Sequence, residues 1–192
     1  LENSRVCDPM NHLDVKRSME CLKKFHDKKL VVGHDFDLFE QIEKYEVLWG
    51  NSESIYEDYE KTKSEVYSLK AFIDGHITEK VLTHIDAVPD NFLFVKDQHG
   101  KEEIRLIDWE YAGMQDPHVD IAMFGIYSLY DREHMDQLID AYFTEGCSRE
   151  NRIKIYCYIA AGGLLWSNWC EYKEKLGVSF GEYATRQYQY AK

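Results

Sequence analysis

The stretch H-I-D-A-V-P-D-N at residues 84–91 and the later run L-I-D-W-E-Y at residues 106–111 carry the densest polar chemistry of the chain. Asp86 and Asn91 are five residues apart, so a curled loop would bring a carboxylate and a carboxamide to one point. Asp108 ends an apolar run and adds a second carboxylate. Mg²⁺ prefers oxygen ligands of this kind, usually one or two carboxylates together with substrate phosphates. The two segments therefore predict a proton acceptor beside a magnesium site, the arrangement that phosphoryl transfer requires.

The sequence around these residues favours a site over a simple turn. Pro89 lies between Asp86 and Asp90, and aspartates beside proline are also common turn formers. Runs of strand length precede and follow the stretch, however, and the turn D-Q-H-G at residues 97–100 separates the last two. These runs cover residues 80–83, 92–95 and 104–107. We therefore expect a small β-hairpin that carries the catalytic site, and we leave Asp90 out of that site.

Helical periodicity surrounds this β element, so the chain is predicted to be α+β and mostly α. Apolar residues recur at steps of three and four on both sides of it. The predicted helices cover residues 10–28, 36–49, 53–74, 117–130, 132–145, 149–175 and 179–191. The buried stripe of the third helix is predicted to begin at Ile55. We expect one domain, 1–192, with a helical part (1–75), a catalytic-loop and β part (76–116) and a helical substrate-binding part (117–192).

Composition excludes several classes of partner. The formal net charge is −12 and no cluster of Lys and Arg is present, so nucleic acid is not an expected partner. Five cysteines without a C-x-x-C pair favour free thiols in a reducing compartment, and hence a cytoplasmic protein. The longest apolar run, residues 155–166, is too short to cross a bilayer, so we expect a buried helix and no membrane insertion.

Two longer segments resemble a known family. L-T-H-I-D-A-V-P-D-N-F-L-F (82–94) and L-I-D-W-E-Y-A-G-M-Q-D-P-H-V-D-I-A (106–122) are similar to the choline/ethanolamine kinase branch of the aminoglycoside-phosphotransferase-like kinases. The likeness is greatest to bacterial choline kinases and covers about residues 80–190, including L-L-W-S-N-W at 164–169. It implies the C-terminal lobe of a protein-kinase-like fold. It also implies transfer of phosphate from ATP, with Mg²⁺, to the hydroxyl of choline.

The resemblance assigns roles to individual residues of the two motifs. Asp86 matches the catalytic aspartate, which accepts the proton of the substrate hydroxyl. Asn91 and Asp108 match the magnesium ligands. His84 matches a histidine that packs under the catalytic loop, and Asp120 matches an aspartate that braces this loop by hydrogen bonds.

Aromatic residues carry the expectation of a choline site. A quaternary ammonium has no N–H group, so its recognition depends on aromatic faces and nearby negative charge. Trp166 and Trp169 are three residues apart on a predicted helix and share a face. Glu110 and Tyr111 follow the metal aspartate, and Tyr127 lies on the next helix. The resemblance implies that these residues bind substrate, whereas composition alone would also allow the rings to be core residues.

Two features of a complete kinase are absent from the sequence. No G-x-G-x-x-G loop is present, because the glycines before residue 83 (Gly33, Gly50 and Gly75) are isolated, and no strand lysine paired with a helix glutamate is found. The chain also begins with Leu1 and not with Met. We therefore expect the nucleotide-binding N-lobe to lie outside these residues, and the chain alone to turn over little. The open alternatives are an ethanolamine kinase, an aminoglycoside kinase, and a non-catalytic kinase-like module that binds a cationic ligand.

Overall fold

The computed structural model describes residues 4–50 and 53–192 and shows a mostly helical chain with two small antiparallel sheets. The helices are α1 (His12–His26), α2 (Leu38–Leu48), α3 (Tyr59–Ser68), α4 (Lys70–His76), α5 (His118–Tyr127), α6 (Arg132–Tyr142), α7 (Arg149–Lys175) and α8 (Glu182–Tyr190). The strands are β1 (Ser4–Val6), β2 (Val81–Thr83), β3 (Phe92–Lys96), β4 (Glu102–Leu106) and β5 (Gly113–Gln115). The predicted architecture, α+β and mostly α, is confirmed.

The two sheets surround the 84–91 turn, which is the loop between β2 and β3. Strands β3 and β4 form the predicted hairpin, with Phe92 opposite Leu106. Strand β1 pairs with the free edge of β3, and β2 pairs with β5 in a separate sheet. Strands β1 and β5 were not predicted, because their sequences, S-R-V and G-M-Q, lack the run of branched or aromatic residues that marks the other strands.

One predicted helix is wrong. Residues 53–74 form two helices, α3 and α4, which meet at Leu69. The amide of Leu69 donates to the carbonyl of Val66 at 3.0 Å, a tightened turn that ends α3. Ile55 precedes α3 and is 58% exposed, because it lies in a loop where helical spacing does not determine burial. Its amide donates to the buried Glu171 carboxylate at 3.1 Å.

Helix α7 keeps its predicted bounds and packs against α2, α5 and α8. The apolar run at residues 155–166 is mostly buried within it, as expected. A Cβ atom at Gly163 would lie 2.6 Å from the carbonyl oxygen of Gln187, so only glycine allows α8 to approach this closely. A Cβ atom at Gly162 would lie 3.0 Å from Ile126 on α5. The glycine pair therefore sets how closely α5, α7 and α8 converge.

A buried ion pair between Lys154 and Asp116 joins α7 to the start of α5. Lys154 also donates to the carbonyl of His76, at the end of α4, at 2.8 Å. His118 packs beside the pair, and burial lowers the pKa of its imidazole to about 4. Removal of one partner from a buried ion pair is strongly destabilising. This cluster therefore fixes three helices relative to one another.

The structure also bears on the state of the cysteines and on the presence of membrane-spanning helices. All five cysteines are free, and Cys7, Cys157 and Cys170 are buried. No helix in residues 4–50 and 53–192 has the length and apolarity to span a membrane.

Candidate active site

A cleft of about 660 Å³ opens between the 84–91 turn and helices α5, α7 and α8. It brings together most of the side chains that the sequence singled out: Asp86, Asn91, Glu110, Tyr111, Tyr127, Trp166 and Trp169. It is also lined by residues that sequence reasoning missed or left out: Val88, Asp90, Met123, Ile126, Phe180 and Tyr183. Its described lining contains three carboxylates and no Lys or Arg, so the cleft favours a cationic ligand.

Within the 84–91 turn, Asn91 and Asp86 are joined by hydrogen bonds. Pro89–Asn91 forms a 3₁₀ turn that folds the amide of Asn91 back over the loop. Asn91 Nδ2 donates to the Asp86 carbonyl at 2.8 Å and to Asp86 Oδ2 at 3.0 Å. Because both bonds use the amide nitrogen, Oδ1 of Asn91 is left as an available acceptor. The turn thus presents one carboxylate and one amide oxygen at the same place.

The Asp86 carboxyl is largely withdrawn from water. Burial raises its pKa above the usual value for aspartate, while the hydrogen bond from Asn91 opposes that shift. The negative charges of Asp108 and Glu110 raise the pKa further, which shows that these carboxylates lie near Asp86. A carboxylate with a raised pKa is a stronger proton acceptor than one in water.

Asp108 reaches the site through the hairpin. The amide of Ile107 donates to the carbonyl of Asn91 at 3.0 Å, so the residue after Ile107 emerges beside Asn91. Asp108 has a φ of 64°, in the left-handed region that non-glycine residues rarely adopt. It is exposed, and its carboxylate has no hydrogen-bond partner among residues 4–50 and 53–192. Both of its oxygens are therefore available to an external ligand.

A second left-handed residue precedes Asp86. Ile85 has a φ of 67°, which is unfavourable for a β-branched side chain, so other contacts must hold it there. The Asp120 carboxylate supplies them by accepting from the amide of His84 at 2.8 Å and from that of Ile85 at 2.7 Å. Asp120 is itself completely buried and bonded at 2.9 Å to Nε2 of His26.

His84 connects the two halves of the polar site. Its Nε2 lies 2.8 Å from the carbonyl of Ile107, the residue before Asp108. Since a carbonyl only accepts, Nε2 carries the proton in this bond. The ring also packs 4.5 Å from that of Trp109. His84 and Asp120 therefore lie behind the cleft and contact the backbone beside Asp86 and Asp108. Asp86 and Asn91 line the cleft, whereas Asp108 lies just outside its lining. We call these three residues together the polar end.

Much of the remaining wall is a continuous arc of rings, which we call the aromatic end. Successive ring centroids along the arc are 5.6, 6.0, 4.8, 6.4 and 6.0 Å apart. In order, the members are Tyr111, Trp166, Trp169, Phe180, Tyr183 and Tyr127. The arc starts beside Glu110 and ends at Tyr127, whose hydroxyl donates to Asp90 at 2.6 Å. It therefore has a carboxylate at each end.

The tryptophans of the arc are held by neighbouring side chains. Trp166 Nε1 lies 3.0 Å from the sulfur of Met123 on α5, which gives this indole N–H a partner. Trp169 has the ammonium of Lys173 5.4 Å from its ring centroid, so this ring already attracts a cation of the chain itself.

Some lining residues had a signal that sequence reasoning did not use. Phe180 and Tyr183 are three residues apart at the start of the last predicted helix, the same spacing that singled out Trp166 and Trp169. Asp90 was set aside as a turn former, yet the structure places it in the cleft lining. Met123 and Ile126 carry no polar group, so only the fold places them there.

The polar end fits magnesium better than it fits a metal held by protein alone. No group of three or more His, Cys, Asp or Glu side chains in the described part of the chain could hold a metal ion. Asn91 Oδ1 and the Asp108 carboxylate offer oxygen ligands from neighbouring backbone positions. Mg²⁺ usually keeps waters and substrate phosphates as its remaining ligands. Two protein ligands therefore suit it.

Similarity to known proteins agrees with this geometry. Residues 3–159 match the family model described as choline/ethanolamine kinase. Protein LicA of Haemophilus influenzae is 28% identical over 177 residues, which cover 86% of this chain and 63% of LicA. The crystal structure of choline kinase LicA from Streptococcus pneumoniae superposes with a TM-score of 0.82 at 29% identity, over 99% of this chain and 66% of that one. A structure of LicA in complex with AMP superposes with a TM-score of 0.81 at 30% identity, over 100% of this chain and 65% of that one.

The fold is therefore that of a kinase-like protein. The chain belongs to the choline/ethanolamine kinase family, because the family model matches most of its length. The resemblance found in the sequence is confirmed. The chain spans 63% of the Haemophilus LicA and 66% of the pneumococcal structure.

Proposed function

We propose that the full-length protein transfers phosphate from ATP to the hydroxyl of choline, giving phosphocholine and ADP. The observation that carries this proposal is one cleft lined by both the partly buried Asp86 carboxylate and an arc of aromatic rings. Choline has the matching shape, a hydroxyl separated from a trimethylammonium by two carbons. Membership of the choline/ethanolamine kinase family and the similarity to LicA choline kinase support the same reaction.

In this mechanism Asp86 orients the substrate hydroxyl and accepts its proton. The hydroxyl oxygen forms a bond to the γ-phosphorus as the bond to the β–γ bridging oxygen breaks, and ADP leaves. Burial raises the pKa of Asp86, which strengthens its carboxylate as a base. Asp120 and His84 act only on the backbone, by holding Ile85 and Ile107 in place.

Asn91 and Asp108 would hold Mg²⁺, which neutralises phosphate charge when ATP is bound. The free Oδ1 of Asn91 and the unpartnered carboxylate of Asp108 are the groups that would do so. The LicA complex with AMP supports nucleotide binding in this family. We further propose that a lobe outside these 192 residues covers the phosphates, since the sequence has no glycine-rich loop for them.

The aromatic end would bind the trimethylammonium group. Its ring faces attract a cation that cannot donate hydrogen bonds, and Trp166 and Tyr111 meet edge to face at 5.6 Å to form a corner. Glu110 adds negative charge beside this corner. Ammonium binding and proton acceptance would thus use different residues of one cleft.

The test uses the full-length protein with Mg-ATP and three substrates: choline, ethanolamine and an aminoglycoside. We expect phosphocholine, identified by phosphorus NMR, and higher kcat/KM for choline than for the other two. Asp86→Asn should abolish turnover, whereas Asp97→Asn, in the exposed turn between β3 and β4, should leave it unchanged. Activity on the aminoglycoside alone would refute the substrate, and full activity of Asp86→Asn would refute the mechanism. Choline binding without turnover would favour the non-catalytic module.

A further inference from the structure

The hydrogen bond between Tyr127 and Asp90 joins two residues of the cleft wall. Asp90 belongs to the 3₁₀ turn that also carries Asn91, whereas Tyr127 is the last residue of α5. The Tyr127 hydroxyl donates to Asp90 Oδ2 at 2.6 Å, and both residues line the cleft. The bond therefore links the turn of the polar end directly to the last ring of the aromatic end.

The position of Asp90 relative to the ring arc is the second observation. The Tyr127 ring packs edge-on against Tyr183 at 6.0 Å, and Tyr183 continues through Phe180 to the tryptophans. Asp90 thus lies at one end of the surface proposed to receive the ammonium group, and Glu110 lies at the other. Its negative charge acts on the same ligand group as the rings.

A carboxylate in this place affects choline and ethanolamine differently. The trimethylammonium of choline uses only the charge, because it has no N–H to donate. The primary ammonium of ethanolamine has three N–H groups and binds best where acceptor oxygens are free. A tyrosine hydroxyl bonded to the carboxylate leaves the charge in place but occupies one acceptor and restrains the side chain. Such a bond therefore disfavours the ligand that needs acceptors.

We propose that Tyr127 determines substrate selectivity by holding Asp90, so that the cleft accepts a quaternary ammonium in preference to a primary one. The proposal rests on the proposed choline kinase function and extends it from the aromatic arc to this hydrogen-bonded pair. Asp90, a turn residue by sequence, becomes a specificity-determining residue. The Tyr127 side chain acts through its hydroxyl as well as through its ring.

The experiment compares kcat/KM for choline with kcat/KM for ethanolamine in the full-length protein and its Tyr127→Phe variant. The variant keeps the ring and frees the Asp90 carboxylate. We expect the choline-to-ethanolamine ratio to fall about tenfold, the size of one charge-assisted hydrogen bond in a partly exposed site. The gain should appear mainly as a lower KM for ethanolamine.

Tyr156→Phe is the matched control, because the Tyr156 hydroxyl also donates to an aspartate, Asp136, at 3.1 Å, but outside the cleft. Its ratio should equal that of the wild type. The double variant Asp90→Ala/Tyr127→Phe has no carboxylate to free, so its ratio should match that of Asp90→Ala alone.

Two results would overturn the proposal. One is a choline-to-ethanolamine ratio that is unchanged in Tyr127→Phe. The other is a ratio that Tyr127→Phe lowers equally in the wild-type and Asp90→Ala backgrounds. Both differ from failure of the proposed function, which would show as a wild-type protein that forms no phosphocholine.

Discussion

The two ends of the cleft are built in different ways. At the polar end, short loops carry the functional groups, and left-handed residues at Ile85 and Asp108 aim them. Those loops are held by backbone amides that donate to the Asp120 carboxylate and by His84, which donates to the carbonyl of Ile107. At the aromatic end, the rings stand mainly on helices and are placed by side-chain packing, as with Trp166 against Met123.

This difference teaches that reaction and recognition can be altered separately. Strained backbone persists only when surrounding bonds over-determine it, so small changes at the polar end should act on the rate. Packed rings tolerate partial replacement, so changes at the aromatic end should act on affinity. The predictions below test this separation.

Removal of the Asp108 carboxylate should have the largest of these effects. We expect Asp108→Asn to lower kcat about 10²- to 10³-fold, the usual loss when one group aimed at developing charge is removed. The KM for choline should change little, because Asp108 does not line the cleft. Steady-state kinetics with varied Mg²⁺ checks this. A variant with normal kcat would show that the polar end does not bind the metal through this residue.

Removal of the Asp120 carboxylate, which accepts hydrogen bonds from the backbone before Asp86, should have the next largest effect. Asp120→Ala leaves the amides of His84 and Ile85 buried and unpaired, at about 1–3 kcal/mol each. We expect a lower Tm and a reduced kcat with an unchanged KM for choline. The matched control is Glu171→Ala, since Glu171 is also buried and accepts from the amide of Ile55, outside the cleft. It should lower the Tm but not kcat. Equal kcat losses in both variants would refute a specific role for Asp120.

Replacement of a ring should change affinity and spare the rate. Trp166→Leu keeps an apolar side chain but removes the aromatic face, which is worth about 0.5–2 kcal/mol to a cation. We expect the KM for choline to rise by about 2- to 30-fold with kcat nearly unchanged. Trp49→Leu is the control, because Trp49 is buried against Tyr59 and lies outside the cleft. A fall in kcat without a rise in KM would contradict the division between the two ends.

The smallest predicted effect is on pH dependence. Burial raises the pKa of Asp86, and the base must be ionised to accept a proton. Activity should therefore be lost, as the pH falls, at a higher pH than an ordinary aspartate would give. Trp166→Leu should show the same acid limb in its kcat profile. An acid limb at the usual carboxylate pKa would mean that Asp86 is not buried in the working enzyme.

The sequence predicted the polar end better than the aromatic end for a physical reason. Asp86 and Asn91 belong to one loop, so their spacing nearly determines their convergence, and the strand before Asp108 places it beside them. The rings come from four separated segments, and only the packing of α5, α7 and α8 with the loop that carries Tyr111 assembles them. Trp166 and Trp169 were found because they share a helix face, whereas Phe180 and Tyr183 depend on how α8 returns to the cleft.

The wrong and missing predictions likewise concern features that only contacts in the folded chain reveal. Strands β1 and β5 lack branched or aromatic runs and are defined only by their pairing with β3 and β2. Helix α3 ends at Leu69 through a local hydrogen bond that amphipathic spacing does not reveal. Asp90 was dismissed because its neighbour Pro89 explained it as a turn residue. Its partner Tyr127 lies 37 residues away, so only the folded chain shows the pair.

The most direct test of the account measures choline binding and turnover together in full-length Asp86→Asn. Ionised Asp86 opposes folding above its raised pKa, so replacement by asparagine should not lower stability at neutral pH. We predict that calorimetry shows choline binding within a few-fold of wild type, while turnover falls about 10²- to 10⁴-fold. Retained turnover in Asp86→Asn, or loss of choline binding in a folded variant, would contradict the assignment of phosphate transfer to the polar end and of choline binding to the aromatic end.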